Sequence, residues 1–90
     1  MTNQFNLIAA GNTYNPCLLI LKSKGYEVSA EELSQSLLWS ASKANHCCSA
    51  YSPPELLGIV VLWETFGTNW SEQEPYLIGD IMEKMAEKGE

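Results

Sequence analysis

The feature of this sequence that most constrains its fold is the segment from Pro53 to Trp70, PPELLGIVVLWETFGTNW. Drawn as a helix, it carries apolar side chains on almost every side, around a single small residue, Gly58. A helix that is apolar all round is buried over most of its surface. We therefore expect a buried central helix with the rest of the 90 residues wrapped around it. We expect Gly58 to allow close approach of another backbone.

The ends of this central helix are marked by capping residues. Ser52 is a typical N-cap, Pro53 suits the first helical position, and Glu55 completes a capping box three residues after Ser52. Gly67 can adopt the left-handed conformation that ends many helices. The sequence therefore predicts a helix between Ser52 and Gly67.

A first helix is predicted by the same kind of signal near the start of the chain. Asn15 can cap it and Pro16 suits its first position. The helix then runs from Cys17 to Lys24, and Gly25 is placed to end it. Its apolar body is Leu18, Leu19, Ile20 and Leu21.

The last helix is predicted to run from about Glu74 to Lys88, because Ser71 and Glu74 repeat the capping-box spacing. One face of this helix is charged and suits solvent. The other face is a single apolar stripe, made of Leu77, Ile78, Ile81, Met82, Met85 and Ala86.

The middle of the chain, residues 29–45 with the residues that follow, fits two interpretations. The first is a helix that begins with Ser29 as cap and Glu32 closing a capping box. The second is a turn of helix or loop followed by a hairpin, in which LLWSASK and HCCSAYS are the strands. Propensity favours the helix. We prefer the hairpin, because a short strand at Tyr26–Val28 otherwise has no partner for its backbone groups.

The hairpin interpretation makes specific statements about side chains. Ala44-Asn45 lies near its turn. The inward-facing residues are Trp39 and Ala41 on one strand, opposite Cys48 and Ala50 on the other. The residues expected nearer solvent are Lys43, His46 and Tyr51.

Three pieces of the chain carry a resemblance to other proteins: GNTYNPCLLILKSKGY, the hairpin candidate from Trp39 to Tyr51, and SPPELLGIVVLWETFGTNW. They resemble a class of small uncharacterised bacterial proteins. In those, a helix, a small antiparallel sheet and a glycine-containing helix of the pattern P-x-E-L-L-G follow in this order. The resemblance spans roughly residues 11–70. It implies a fold preference and no catalytic activity.

Together these patterns predict one α+β domain over residues 1–90. Its elements are an N-terminal helix, a short antiparallel three-stranded meander, a buried central helix and an amphipathic C-terminal helix. The alternative is an all-α bundle, which applies if the middle segment is helical.

Charge excludes several classes of partner. The net charge is −6, with five lysines, eleven acids and no arginine. Nucleic acids and anionic membranes are bound by basic surfaces, so neither is expected as a partner. No apolar run reaches the ~18–20 residues of a membrane helix. The N-terminus lacks the basic region of a signal peptide, so we expect a cytoplasmic protein with reduced thiols.

The most reactive-looking cluster is His46-Cys47-Cys48, with Cys17 as a third cysteine. Adjacent strand residues point to opposite faces, so these side chains do not converge on a metal or pair as nucleophile and base. We expect buried cysteines that act as small hydrophobes. The sequence thus predicts no catalytic residue, no metal site and no cofactor. Cys47 and Cys48 with His46 remain the only candidates for a thiol chemistry.

Aromatic side chains supply the candidate interaction surface. Tyr14 and Trp70 are flanked by Asn, Thr and Gly, and exposed aromatic residues are typical of interface hot spots. With the acidic residues Glu72 and Glu74 they form the surface that we expect to bind a protein partner or a second copy. Only 18% of residues are charged, below the usual ~25%, which also suggests surface that needs a partner.

The preferred function is a non-catalytic protein-interaction domain, of a kind that can self-associate. One alternative is an immunity-type or inhibitor protein that binds a basic partner through a compact acidic patch. That patch would combine Glu27, Glu31 and Glu32 with Glu72 and Glu74. Two further hypotheses are a thiol-dependent protein and a small-ligand binder with a cleft lined by Trp39 and Trp63.

Overall fold

A computed structural model describes residues 6–7 and 10–88, and it has the predicted α+β fold. Six main elements follow in order: α1 (Tyr14–Ser23), β1 (Glu27–Glu32), β2 (Leu37–Lys43), β3 (His46–Ala50), α2 (Pro53–Phe66) and α3 (Leu77–Lys88). Two 3-10 helices accompany them, Gly11–Thr13 before α1 and Gly67–Glu72 after α2. The all-α alternative is excluded because residues 29–45 form strands and a turn.

The sheet is the expected antiparallel meander, with strand order β1-β2-β3. Trp39 lies opposite Ala50 and Ala41 opposite Cys48, as the hairpin interpretation requires. β1 is longer than the predicted Tyr26–Val28 strand, since it continues through Glu32. The sequence predicts a turn of helix or loop for the added residues, Ser29–Glu32. They are strand because Ser29 to Glu32 pair with Ser40 to Leu37 of β2, which satisfies their backbone groups.

The end of α1 is built as predicted. Gly25 has φ +94°, a conformation that favours glycine. Its N–H donates to Lys22 at 3.0 Å and the N–H of Tyr26 donates to Leu21 at 3.1 Å, the paired bonds of a Schellman motif. The start differs, because α1 begins at Tyr14 rather than after Asn15. Thr13, not Asn15, is the N-cap residue, and its hydroxyl donates to the Ala10 carbonyl at 2.7 Å.

The core lies between α1 and α2 on one side and a single face of the sheet on the other. Its buried apolar side chains are Leu21, Tyr26, Ala41, Ala50, Leu56 and Val60. Ser52 caps α2 as predicted, with its Oγ accepting from the Glu55 N–H at 3.4 Å. The reciprocal half of the capping box differs, because the Glu55 carboxylate accepts from the Ser52 hydroxyl at 3.0 Å and not from its backbone N–H. Gly67 ends α2 with φ +64°.

The expectation that α2 is buried on most of its surface is wrong. Only Pro53, Leu56 and Val60 are buried on it. The apolar residues of its outer face are 36–44% exposed: Ile59, Val61, Leu62 and Phe66. The expected role of Gly58 is also wrong, since an added Cβ there would have no neighbour within 4 Å. The sheet and α1 cover one side of α2, and the described chain has no further layer on the other side.

The C-terminal region, residues 67–88, also departs from expectation. The 3-10 helix takes up Gly67–Glu72, so Ser71 lies inside it and caps no α-helix. The last helix therefore begins at Leu77 rather than near Glu74. Its apolar stripe, here Leu77, Ile78, Ile81, Met82 and Met85, is 53–63% exposed.

The chain as a whole is extended for its size. Its Cα radius of gyration is 16.5 Å, whereas a compact chain of this length has a radius of ~12 Å. Within the described residues, no helix is long and apolar enough to cross a lipid bilayer.

Candidate functional site

An apolar groove runs along the β3 edge of the sheet. Residues of β3 form one wall, and the outer face of α2 with the following 3-10 helix forms the other. Its volume is about 370 Å³. The residues that line it are Cys47, Cys48, Ser49, Ile59, Leu62, Trp63 and Trp70. We call this surface the groove.

The groove follows from the position of β3 as an edge strand. In the described residues β3 pairs only with β2, so its other side carries backbone groups without a strand partner. Alternation places Cys48 on the core side of the sheet and Cys47 on the opposite face. Both residues nevertheless line the groove, which lies at the edge of this strand.

Trp63 connects the groove to a cluster of polar side chains behind it. Its ring lies 5.1 Å from the His46 ring, at an interplanar angle of 34°. His46 in turn is bonded to Tyr26, which is only 3% exposed. We call the set Lys24, Tyr26, Lys43, His46 and Glu64 the polar seam.

The polar seam joins α1, α2 and the sheet. The Tyr26 hydroxyl donates to Glu64 at 3.0 Å, and the other Glu64 oxygen accepts from Lys24 at 2.9 Å. Because the single hydroxyl proton goes to Glu64, His46 Nε2 is the donor to the Tyr26 oxygen, at 3.1 Å. Lys43 Nζ donates to the Lys24 carbonyl at 2.7 Å and lies 5.3 Å from the centroid of the Tyr26 ring.

These contacts change the pKa values of Tyr26 and Glu64 in opposite directions. Burial, with the hydrogen bond to Glu64, raises the pKa of Tyr26 to about 12. The hydrogen bond from Lys24 lowers the pKa of Glu64, against a smaller opposing effect of desolvation. The polar seam therefore holds a neutral phenol beside an ionised carboxylate over the ordinary pH range.

His46 is the predicted residue whose position differs most from expectation. The sequence predicts a position nearer solvent, but His46 is half-buried between Tyr26 and Trp63. The physical reason is the alternation of side chains along a strand. His46 is two residues before Cys48 and four before Ala50, so its side chain lies on the same face of β3 as theirs and points toward the helices.

The two candidate thiols lie in different surroundings. Burial raises the pKa of the half-buried Cys48 thiol, while a nucleophilic thiol requires a lowered pKa. Cys47 is exposed, contrary to the expectation of a buried cysteine, because it lies on the open face of an edge strand. Among the described residues, no group of three His, Cys, Asp or Glu side chains is placed to hold a metal ion.

The structure separates the residues expected to form one interaction surface. Trp70 is 52% exposed and lines the groove. Tyr14 is 38% exposed at the start of α1, with its ring edge-on to Trp39 at 6.5 Å. Glu72 ends the 3-10 helix and Glu74 follows it, both exposed. Tyr14 is therefore not part of the groove wall.

The expected ligand cleft between Trp39 and Trp63 is not formed. The groove contains Trp63 but not Trp39, which contacts Tyr14 instead.

The residues of the expected acidic patch lie on different elements. Glu27, Glu31 and Glu32 lie on β1, the edge strand opposite β3. The other half of the expected acidic patch, Glu72 and Glu74, follows Trp70 in the sequence.

Sequence reasoning missed most of the polar seam. Tyr26 and Glu64 are 38 residues apart and Lys24 and Glu64 are 40 apart, so no local spacing relates them. Only the position of His46 could have been predicted, because alternation along the strand places it on the same face as Cys48 and Ala50.

Comparison of the chain with protein-family models, with curated proteins and with solved structures finds no match. The resemblance to small bacterial proteins with a P-x-E-L-L-G helix thus remains a prediction.

Proposed function

We propose that the protein is a non-catalytic protein-interaction domain whose contact surface is the groove. The single observation that carries this proposal is the continuous apolar lining of the groove, in which Trp63 and Trp70 stand beside Ile59 and Leu62. Large exposed apolar patches on small proteins are typical of interaction sites. Tryptophan is also among the residues that dominate interface binding energies.

A protein partner fits the groove better than a small molecule does. Small-ligand sites combine apolar walls with several convergent polar groups that fix the orientation of the ligand. Here the side-chain polar group of the lining is Ser49, beside the two thiols. The open edge of β3 adds backbone donors and acceptors in a row, which suit a polypeptide.

A small-ligand binder stays a second candidate because of one observation. The groove volume of about 370 Å³ lies within the ~300–1,000 Å³ of ligand pockets. Binding of an apolar dye by wild-type protein, with loss of binding in Leu62→Glu, supports this candidate only if the protein stays monomeric and gives no protein adduct at the groove.

Composition supports the rest of the proposal. With five lysines against eleven acids, the partner is not a nucleic acid, and a basic protein partner of the immunity type would be attracted electrostatically. The proposed cytoplasmic location suits an exposed Cys47, since reducing compartments keep such thiols free.

The test uses Cys47, one of the residues that line the groove, as an attachment point. A photoactivatable crosslinker is coupled to Cys47 in a Cys17→Ala, Cys48→Ala background and irradiated with purified protein and with source-cell lysate. The matched control carries the same crosslinker on Ser29→Cys, in a background that also has Cys47→Ala, since Ser29 is exposed on the opposite edge strand.

We expect a discrete protein adduct from Cys47, on a defined partner peptide identified by mass spectrometry, and none from position 29. Equal labelling from both positions, or no protein adduct from Cys47, would contradict the proposal.

A further inference from the structure

We infer that the groove is occupied by α3 of a second copy, and that two copies exchange α3 helices reciprocally. This inference rests on the proposed function as an interaction domain and adds the identity of the partner. Two unpartnered apolar surfaces of this chain carry it: the apolar stripe on α3, and the outer face of α2 with its groove.

The first surface is the stripe, which nothing in the described chain covers. Leu77, Ile78, Ile81, Met82 and Met85 follow the spacing of one helix face. They are nevertheless 53–63% exposed. A helix of 12 residues is only marginally stable in water without packing, so α3 needs a surface against which to bury this stripe.

The second surface matches the first in length. On α2, Ile59, Leu62 and Phe66 follow the same helical spacing, and Trp70 extends the row beyond Gly67. At 1.5 Å per residue, the row from Ile59 to Phe66 and the stripe from Leu77 to Met85 are each ~10–12 Å long. A helix laid into an apolar groove with anchors at such spacing is a common recognition mode.

The exposed area is large enough for a dimer. The chain exposes 7423 Å², whereas a compact protein of 10.0 kDa exposes roughly 5,200 Å². The excess is more than the ~800 Å² that each partner buries in an interface of standard size. The radius of gyration, 16.5 Å rather than ~12 Å, points the same way. Among the described elements, none packs extensively against α3.

A second copy explains both surfaces at once. In a two-fold pair, each copy supplies one helix and one groove, so both apolar surfaces of both copies are covered. An unrelated partner in the groove would leave the stripe exposed. The charged face of α3, with Asp80, Glu83, Lys84 and Glu87, stays in solvent. Since each copy carries a charge of −6, added salt should strengthen the pair.

The experiment measures sedimentation equilibrium of full-length wild type and four variants. Ile81→Glu disrupts the stripe and Leu62→Glu disrupts the groove wall. The matched controls place the same residue at exposed polar positions outside the stripe and outside the row Ile59, Leu62 and Phe66, as Lys84→Glu on α3 and Thr65→Glu on α2. Lys84→Glu changes the net charge more than Ile81→Glu does, so repulsion alone cannot explain an effect confined to Ile81→Glu. Circular dichroism verifies that each variant is folded, which we expect because all four side chains are exposed in one copy.

The wild type should be a dimer. Ile81→Glu and Leu62→Glu should each raise the dissociation constant at least ~100-fold, and the controls should change it less than about threefold. Mixing Ile81→Glu with Leu62→Glu should restore a heterodimer of intermediate affinity. Only that mixture contains an intact stripe on one copy and an intact groove on the other.

Three outcomes overturn the inference. They are a monomeric wild type, a dimer that survives Ile81→Glu, and a mixture that does not reassociate, which would indicate like-with-like packing of stripes or grooves. A monomeric wild type whose groove crosslinks to another protein would leave the proposed function standing. A monomer that gives no adduct from Cys47 would remove both.

Discussion

The two faces of α2 are made of similar residues and have opposite surroundings. On the inner face, Leu56 and Val60 are fully buried against the sheet and α1. On the outer face, Ile59 and Leu62 are 40% and 36% exposed. The difference shows that the apolar composition of a helix indicates how much of its surface must be buried. The topology of the chain determines which face is buried within one copy.

The same contrast extends to two regions of the chain. The body, residues 10–66, contains all the buried apolar residues in the described part of the chain. The C-terminal region, residues 67–88, has a well-formed amphipathic helix and buries none of it. This division predicts mutational effects of different sizes, with the largest in the core of the body.

The largest effect is expected from Leu56→Ala, compared with Leu62→Ala on the same helix. Leu56→Ala should lower the free energy of unfolding by ~2–5 kcal/mol, because it leaves a cavity in the core. Leu62→Ala should cost less than ~1 kcal/mol in dilute, monomeric protein, since its side chain is already partly in water. Urea unfolding monitored by circular dichroism measures both. Equal losses would mean that the two faces of α2 are equally buried.

A second prediction concerns alkaline pH and the polar seam of the body. The folded pKa of Tyr26, about 12, is above the ordinary value of 10.0. The contribution of Tyr26 to the free energy of unfolding is therefore complete below pH 10 and is lost as the pH rises toward 12. The loss should be at most ~2 kcal/mol, because the Glu64 carboxylate that accepts from the hydroxyl is about one-third exposed.

Denaturant unfolding of wild type and Tyr26→Phe over this pH range measures the loss. The difference in stability between the two proteins should shrink as Tyr26 ionises, while the ionisation of lysines affects both equally. An unchanged difference would show that Tyr26 ionises no later in the folded state than in the unfolded state.

A third prediction uses Gly58 on α2. Gly58→Ala should stabilise the monomer by ~1 kcal/mol, because alanine favours helix and the added Cβ meets no atom within 4 Å. Thermal unfolding at several protein concentrations tests this. A stabilisation that reverses at high concentration would place Gly58 inside an interface and sharpen the contrast between the two faces.

The smallest effect is expected from Lys24→Gln, which removes the 2.9 Å ion pair with Glu64. The pair is about one-third exposed, so the loss should be smaller than the gain from Gly58→Ala. Because Glu64 has a lowered pKa in the folded protein, its contribution is present at neutral pH and is lost as pH falls through that pKa. Lys22→Gln, also in the last turn of α1, is the control for lost helix charge. If both variants lose the same free energy of unfolding, the Lys24–Glu64 ion pair contributes nothing to stability.

The parts of the fold that local spacing determines could be predicted from the sequence. The strand LLWSASK, its cross-strand partners and the Ser52 N-cap all depend on residues near in sequence, and all are present. The length of β1 could not be predicted, because SAEE has no apolar alternation and becomes a strand only through pairing with β2.

The candidate site could be predicted only in part. Trp70 lines the groove as an exposed aromatic residue should, but Tyr14 belongs to another surface. The outer face of α2 could not be identified because a helix that is apolar all round has no periodicity to distinguish its faces. Contacts such as Tyr26 to Glu64 depend on how α1, the sheet and α2 are assembled, and no single segment encodes that.

Gly67 has a consequence for the tolerance of the chain to mutation over time. With φ +64° and ψ −142°, it occupies backbone space that non-glycine residues enter only with strain, and it sets the direction in which the chain leaves α2. Gly58, nine residues earlier on the same helix, has ordinary geometry and empty surroundings. Among descendants of this sequence, position 58 should accept substitutions while position 67 stays glycine. The conformation of this one residue thus maintains the direction of the chain after α2.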